Sequence, residues 1–264
     1  MTDDGIILKI NSYREYDQLI TFYFRRHGKT SVVARGAKRS RRRFIGLVAK
    51  FNHISCELKK GKRSTLMELE EGSLINAPMA NAQAFESLLY GSYLLDLVLH
   101  FTQDQHANSR LFDIILSTLS GLATNKNPEG LIRRFEWDIL TIAGYKPELN
   151  HCVRCRNVRD QNKNATFYVQ DGGIVCRVCK PNIKNGHPLS SDTIRLLITN
   201  DEIIGEAAKR ELGKILPEFI VYQLGRPLPS LAILEETIWH AQATTPLQKI
   251  ASLPEKMEIP VATD

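Results

Sequence analysis

Residues 152–179 read CVRCRNVRDQNKNATFYVQDGGIVCRVC, and this segment organises the second half of the chain. It holds two C-x-x-C pairs separated by twenty residues, a spacing typical of a four-thiolate zinc site. Two residues between thiolates let one tight turn present both sulfurs to the same ion. Four thiolates leave no open coordination position, so we expect one structural Zn²⁺ and not a catalytic ion. The predicted ligands are Cys152, Cys155, Cys176 and Cys179.

The residues between the two pairs indicate a hairpin. Thr166–Gln170 and Gly173–Val175 are short strand-like runs joined by a glycine turn, which predicts a zinc ribbon over about 145–187. Two disulfides or a redox dithiol are the alternatives. Disulfides are disfavoured in a cytoplasmic protein. A redox dithiol has a single C-x-x-C at a strand–helix junction, whereas this segment has two such pairs in a hairpin. His151 and His187 flank the cluster and could replace a ligand, but surface histidines are the simpler interpretation.

Helical periodicity surrounds this ribbon on both sides. Before it, three helices are predicted, the third capped by Asn127-Pro128 and stopped by Gly144. After it, one helix is predicted over 192–200, and another runs from about Glu202 to Gly225 with a break near Pro217. We therefore expect a helical domain over 78–240, followed by a weakly patterned tail over 241–264 that we interpret as mobile or loosely attached.

The first 77 residues read as strands and form a predicted first domain, which makes the chain α+β. About five strands with glycine turns suggest a small barrel or sandwich. One long irregular connection, roughly Gly36–Val48, interrupts the series. The predicted strands are Gly5–Ile10, Leu19–Phe24, Thr30–Ala34, Phe51–Leu58 and Thr65–Leu69.

Charge is concentrated in this first domain. The chain has a net charge of +6, and residues 25–63 hold fourteen Lys or Arg against one acid. Such a run favours binding to a polyanion, and the aromatic residues Tyr16, Tyr23, Phe44 and Phe51 among the bases suit single-stranded nucleic acid. The predicted nucleic-acid-binding residues are Arg25, Arg26, Lys29, Arg35, Lys38, Arg39, Arg41, Arg42, Arg43, Lys59, Lys60, Lys62 and Arg63.

Several function classes are disfavoured by the sequence. No apolar run reaches the ~18 residues of a membrane span, and the N-terminus lacks an apolar signal region, so we expect a cytoplasmic protein. Gly28-Lys29-Thr30 lacks the upstream glycine of a phosphate-binding loop, because Tyr23 occupies that position. We find no nucleophile or metalloprotease motif and no carboxylate cluster, so we expect no enzymatic activity.

A series of short motifs, in order, resembles the RecO family of bacterial recombination mediators over about residues 1–235. Each motif alone is modest, but their order and spacing together are specific. They include Gly5-Ile-Ile-Leu8, Tyr16-Asp17, Val33-Ala-Arg-Gly-Ala-Lys38, Gly144-Tyr-Lys-Pro-Glu-Leu149 and Leu224-Gly-Arg-Pro-Leu228.

The resemblance implies an N-terminal OB-fold and a helical domain that carries the zinc ribbon. It also implies binding to single- and double-stranded DNA, annealing of complementary strands, nucleoid association and cooperation with RecR. The acidic tail of single-strand-binding protein and, indirectly, the recombinase RecA are further implied partners. Arg195 with Leu196, or Arg226, are the candidate positions for that tail.

Three other functions compete with this interpretation. A zinc-ribbon protein that binds RNA or ribosomes would use the same basic barrel, since 2′-hydroxyl selectivity depends on a few contacts. A metal-assisted nuclease would need acidic metal ligands, which the sequence does not group together. A membrane-surface protein would need an amphipathic basic helix, which we do not find.

Overall fold

The computed structural model describes residues 1–40, 42–61, 66–124, 127–181, 185–199 and 204–239. The strands are β1 (Thr2–Ser12), β2 (Gln18–Phe24), β3 (Gly28–Ala34), β4 (His53–Lys60), β5 (Met67–Asn76), β6 (Ala165–Tyr168), β7 (Gly173–Val175) and β8 (His187–Leu189). The helices are α1 (Phe85–Phe101), α2 (Ser109–Thr124), α3 (Pro128–Ile142), α4 (Ser191–Thr199), α5 (Glu206–Leu224) and α6 (Pro229–Leu234), followed by a π-helical turn, Glu235–Trp239.

The first five strands close into a barrel in the order β1-β2-β3-β5-β4, and β4 pairs back onto β1. Every pairing is antiparallel except the short parallel contact between β3 and β5. A small closed barrel of five strands is the OB-fold arrangement, so the predicted α+β class with an N-terminal OB-fold is confirmed. β5 extends beyond the predicted end at Leu69, because its polar second half is held by pairing with β4.

The barrel has its own apolar core. Alternate residues of the strands point inward, including Ile7, Phe22 and Ile54. Cys56 also lies inside, and burial raises the pKa of its thiol to about 12. Leu47, from the long connection between β3 and β4, packs into the same core.

Two of the aromatic residues considered for base stacking are core residues. Tyr23 is 1% exposed and Phe44 is 5% exposed. A third, Phe51, is the first residue of the predicted strand Phe51–Leu58, but the observed strand begins only at His53. Phe51 precedes β4 with a positive φ of 77° and packs against the core of the helical region.

A second apolar core joins the barrel to the helices. Ile6 and Leu8 of β1 and Tyr23 of β2 are buried among residues of the helices. At the turn before β3, Gly28 has a φ of +64°, and a Cβ there would lie 2.3 Å from the carbonyl oxygen of His106. Only glycine permits this close approach, which seats the β2–β3 turn against the α1–α2 connection.

The helical region follows the predicted order with two differences: α5 is not broken at Pro217, and the short helix α6 was not predicted. Asn127 caps α3 by accepting a hydrogen bond from the backbone N–H of Gly130, as its sequence predicts. The predicted break near Pro217 is wrong, because α5 continues through this proline to Leu224. Leu216 and Phe219, on either side, are buried in the core, and their burial offsets the ~3 kcal/mol cost of an internal proline.

No helix in the described part of the chain is both long enough and apolar enough to cross a bilayer.

The third layer of structure is a small sheet, β7-β6-β8, which lies against α5. Strands β6 and β7 form the predicted hairpin, whose turn contains Gly172 with a φ of +70°. The third strand, β8, was not predicted, because a three-residue run containing Pro188 carries little strand signal.

A buried charged network joins α1 to α3. The Arg133 guanidinium donates to both carboxylate oxygens of Glu136, at 2.8 and 2.7 Å, and the Tyr93 hydroxyl donates to Glu136 Oε1 at 2.8 Å. All three residues are fully buried. Charged groups this deep persist only when their hydrogen bonds are made, so the network fixes how the two helices meet.

We expect Tyr93→Phe to destabilise the protein by about 1.5–3 kcal/mol, because it removes a hydrogen bond to a buried charged group. Urea unfolding followed by circular dichroism measures this change. Tyr145→Phe is the matched control, since Tyr145 is 44% exposed and its hydroxyl removal should cost little. Equal destabilisation by the two variants would contradict the role given to the network.

Candidate metal centre and nucleic-acid interface

The four cysteines of the two C-x-x-C pairs converge on one point. The sulfurs of Cys152, Cys155, Cys176 and Cys179 all lie within 4.8 Å of one another. The sulfurs of Cys155 and Cys176 are 3.7 Å apart. A tetrahedral ion with bonds of ~2.3 Å places its sulfurs about 3.8 Å apart, so this cage has the right size. The residues therefore fit a tetrahedral metal ion, as their spacing predicts.

Backbone N–H groups prepare the cage for thiolates. Burial by itself raises the pKa of Cys152, but the N–H groups of Cys155, Cys176 and Arg154 aimed at its sulfur lower that pKa to about 6. The N–H of Cys179 likewise lowers the pKa of Cys176. Thiolates that are already stabilised bind metal ions without a large cost of deprotonation.

The fourth cysteine shows how negative charge accumulates in the cage. Hydrogen bonds to the sulfurs of Cys155 and Cys176 raise the pKa of Cys179 to about 12, because negative charge is already crowded at this point. Four thiolates this close repel one another unless a divalent ion lies among them. The donor set and its electrostatics thus agree with a bound metal.

The cage is braced by its surroundings. Cys152 is buried against Tyr168 and Val175 of the hairpin. The Arg154 guanidinium donates to the carboxylate of Asp171 at 3.0 and 3.2 Å and to the carbonyl oxygen of Cys179 at 3.3 Å, which ties the two cysteine turns together.

The two flanking histidines belong to other contacts. His187 Nε2 lies 2.9 Å from a carboxylate oxygen of Glu218, and His151 Nδ1 lies 3.7 Å from one of Glu148. Neither histidine joins the metal-binding group, which contains the four cysteines alone among the residues that the structure covers.

The predicted nucleic-acid-binding residues fall into two groups at opposite ends of β3. Seven of them lie at the C-terminal ends of β3 and β4 and in the loop that follows β3. Tyr13, Arg14 and Tyr16 of the β1–β2 connection lie beside them. We call this surface the basic barrel end. It consists of Tyr13, Arg14, Tyr16, Arg35, Lys38, Arg39, Arg42, Arg43, Lys59 and Lys60.

Contacts within the basic barrel end bring its loops together. The Lys38 ammonium donates to the carbonyl oxygen of Arg14 at 3.2 Å. The Arg39 guanidinium lies over the Tyr16 ring at 3.2 Å from its centre, and Arg14 lies 5.3 Å from the centre of the Tyr13 ring. Tyr13 is 41% exposed. The surface therefore combines cations with accessible aromatic rings, as single-strand binding requires.

Some bases of this surface are paired with acids. Arg35 and Glu68 form an ion pair at 2.5 Å, and Lys59 and Glu70 form another at 2.5 Å. The hydrogen bond to Glu68 raises the pKa of Arg35 further. In contrast, the remaining bases make no ion pair with any described residue: Arg14, Lys38, Arg39, Arg42, Arg43 and Lys60.

Sequence reasoning missed Tyr13 and Arg14. Both lie in the short β1–β2 connection, outside the basic run that defined the prediction. The signal was present, since Tyr13-Arg14-Glu15-Tyr16 places two aromatic residues around two charged ones between two strands. Only closure of the barrel shows that this connection lies beside the long loop after β3.

The second group, at the other end of β3, contacts residues of the helical region. Arg25 pairs with Asp113 of α2 at 2.7 Å and lies over the Phe112 ring. The Lys29 ammonium donates to the carbonyl oxygens of Leu99 and Thr102 at 2.8 and 2.6 Å, which caps the C-terminus of α1.

Four more predicted residues complete the account. Arg26 donates to the buried carboxylate of Asp3 at 3.3 Å but keeps 66% of its side chain exposed. Arg41, Lys62 and Arg63 lie outside the described residues.

Comparison with known proteins gives one consistent match. A family model described as "Recombination protein O N terminal" covers residues 1–78, and one described as "Recombination protein O C terminal" covers residues 82–232. A relative from Syntrophus aciditrophicus named "DNA repair protein RecO" is 33% identical over 244 residues, spanning 88% of this chain and 94% of the relative. A Bacillus subtilis protein of the same name is 31% identical over 194 residues, 74% of each chain. The chain therefore belongs to the RecO family of DNA repair and recombination proteins.

Proposed function

We propose that this protein is a non-enzymatic recombination mediator that binds single- and double-stranded DNA through the basic barrel end. One observation supports this proposal most strongly. At one end of a closed OB-fold barrel, six bases that form no ion pair with any described residue lie beside two tyrosines. Membership in a DNA repair family favours DNA over other polyanions as the ligand.

Each part of the surface has a role in binding. The cations neutralise phosphates and release counterions, which supplies affinity without sequence preference. The exposed face of Tyr13 offers a stacking platform for a base, worth about 1–3 kcal/mol. Two complementary strands held on one neutralised surface repel each other less, so they pair faster.

Mediation requires partners, and we propose RecR, the acidic tail of single-strand-binding protein and, indirectly, RecA. The helical domain is the proposed site for the acidic tail. Arg195 on α4 is 62% exposed, and among the described residues it forms one ion pair, with Asp192 at 3.7 Å. The adjacent Leu196 is half-buried. Arg226, whose guanidinium contacts His100, is the second candidate.

We further propose that the ion in the four-cysteine cage is Zn²⁺ and that it is structural. Four sulfur donors in a tetrahedral cage match the preference of zinc, and they leave no position for substrate. The division into a barrel domain over 1–77, a helical domain over 78–240 and a tail over 241–264 stays a prediction. Residues 240–264 lie outside the described part of the chain.

Fluorescence anisotropy with a labelled single strand tests the proposal. If about five phosphates are contacted, the logarithm of affinity should fall with the logarithm of salt concentration with a slope of about −3.5. A slope near zero would contradict electrostatic binding at the basic barrel end. An unlabelled RNA of the same sequence serves as competitor, and a clear preference for RNA would favour the RNA- or ribosome-binding alternative.

A further inference from the structure

Another cluster of basic residues lies where β1 and β3 meet the C-terminal end of α1. It comprises Lys9 of β1, His100 in the last turn of α1 and Arg226, which follows α5. Lys29, described above as the cap of α1, adjoins it. Lys9 and Arg226 are exposed and form no ion pair with any residue that the structure describes. Of these four residues, sequence reasoning assigned DNA binding only to Lys29.

Arg226 is held in place by His100. Its guanidinium nitrogen Nη2 lies 2.9 Å from His100 Nδ1 and 3.3 Å from Nε2. A neutral imidazole nitrogen can accept a hydrogen bond from this guanidinium, whereas a protonated ring has only donors. The contact therefore belongs to the neutral ring and presents an arginine, already oriented, at the surface.

The surroundings of His100 are mostly cationic. Burial lowers the pKa of His100, and the positive charges of Arg226, Lys29 and Lys9 lower it further. The carboxylate of Asp96, one turn earlier on α1, acts in the opposite direction. Lys29 is also paired with Asp104 at 3.3 Å, so Lys9 and Arg226 are the cations of this site that have no acidic partner among the described residues, and a bound anion would relieve their repulsion.

Its position connects this group to the basic barrel end. Lys9 lies three residues before Ser12, where β1 ends and the connection carrying Tyr13 and Arg14 begins. At about 3.4 Å per residue, Lys9 is therefore about 10 Å from that surface. A nucleic-acid strand leaving the basic barrel end can reach the group within a few phosphates.

We propose that Lys9, His100 and Arg226 form a phosphodiester-binding site that carries the DNA path from the barrel onto the helical domain. This inference rests on the proposed DNA-binding function. In the free protein the neutral His100 ring accepts from Arg226. A bound phosphate accepts from both the Arg226 guanidinium and the protonated ring, so it replaces this contact and binding takes up a proton at this site. DNA affinity should then rise as the pH falls from about 8 to 6, and the part of this rise that is due to His100 should be lost when that residue cannot be protonated.

Two variants test the site separately, with a labelled 25-nucleotide single strand. Arg226→Gln should make the salt slope shallower by about 0.7 and weaken binding roughly fivefold at 0.1 M salt, the loss of one phosphate contact. Arg226→Lys should restore the slope. His100→Asn can still accept from Arg226 but cannot be protonated, so it should keep the slope and lose part of the pH dependence.

The control is Arg210→Gln, which removes the same charge from an exposed position on α5. If Arg226→Gln behaves like Arg210→Gln, or if His100→Asn keeps the full pH dependence, the site is refuted while DNA binding by the barrel stands. If the unaltered protein shows no salt-dependent DNA binding, the proposed function itself fails. Circular dichroism of each variant checks that it is folded.

Discussion

Replacing Cys152 and Cys155 by serine is expected to remove the bound metal and to cost about 4 kcal/mol or more of stability. Both residues belong to the four-sulfur cage, and Cys152 is also buried against the β6–β7 hairpin. Loss of the ion leaves the remaining thiolates crowded, so the ribbon should open locally. For a chain of this size the melting temperature should fall by roughly 8–16 °C.

Metal analysis of the purified protein, differential scanning calorimetry and amide hydrogen exchange measure these effects. The control is Cys56→Ser, a cysteine in the barrel core far from the cage in sequence. It should leave the metal content unchanged, whatever its effect on stability. Full metal content in the Cys152/Cys155 variant would contradict the assigned ligands, and unchanged stability would contradict a structural role.

Neutralising three arginines of the basic barrel end should abolish most of the DNA affinity. In the variant Arg39→Gln/Arg42→Gln/Arg43→Gln, three phosphate contacts are lost, so the salt slope for single strands should become shallower by about 2. At 0.1 M salt this corresponds to a loss of affinity of roughly 100-fold. These side chains are exposed and have no described acidic partners, so folding should not change.

A matched triple variant on the helical domain, Arg195→Gln/Arg210→Gln/Lys214→Gln, carries the same change in net charge. It should keep most of the affinity if binding depends on the basic barrel end and not on overall charge. Equal losses in the two triple variants would show that binding is non-local and would contradict the assignment of the surface. Metal content should be the same in both.

The features that the sequence predicted well are those encoded locally. The two C-x-x-C pairs fix the cage because each pair acts within one tight turn. Asn127 caps α3 because its side chain reaches a backbone N–H only three residues away. The strands of the barrel follow from alternating apolar residues, which need a common interior.

The remaining features depend on contacts that are distant in sequence. The basic run divides into two groups because β3 separates Arg25 and Lys29 from the bases after residue 34, and only strand pairing reveals their neighbours. Tyr13 and Arg14 join the surface because the barrel closes beside them. Pro217 remains inside a helix because tertiary burial outweighs local propensity.

The most direct test of the account is the annealing of two complementary labelled oligonucleotides without nucleotide, measured on bare strands and on strands coated by single-strand-binding protein. We expect rapid annealing by the unaltered protein and slow annealing by the Arg39/Arg42/Arg43 variant. The helical-domain triple variant enters as a third arm, because its changes include Arg195, the candidate contact for the acidic tail. It should match the unaltered protein on bare strands. Tight DNA binding without any acceleration of annealing by the unaltered protein would contradict the mediator function.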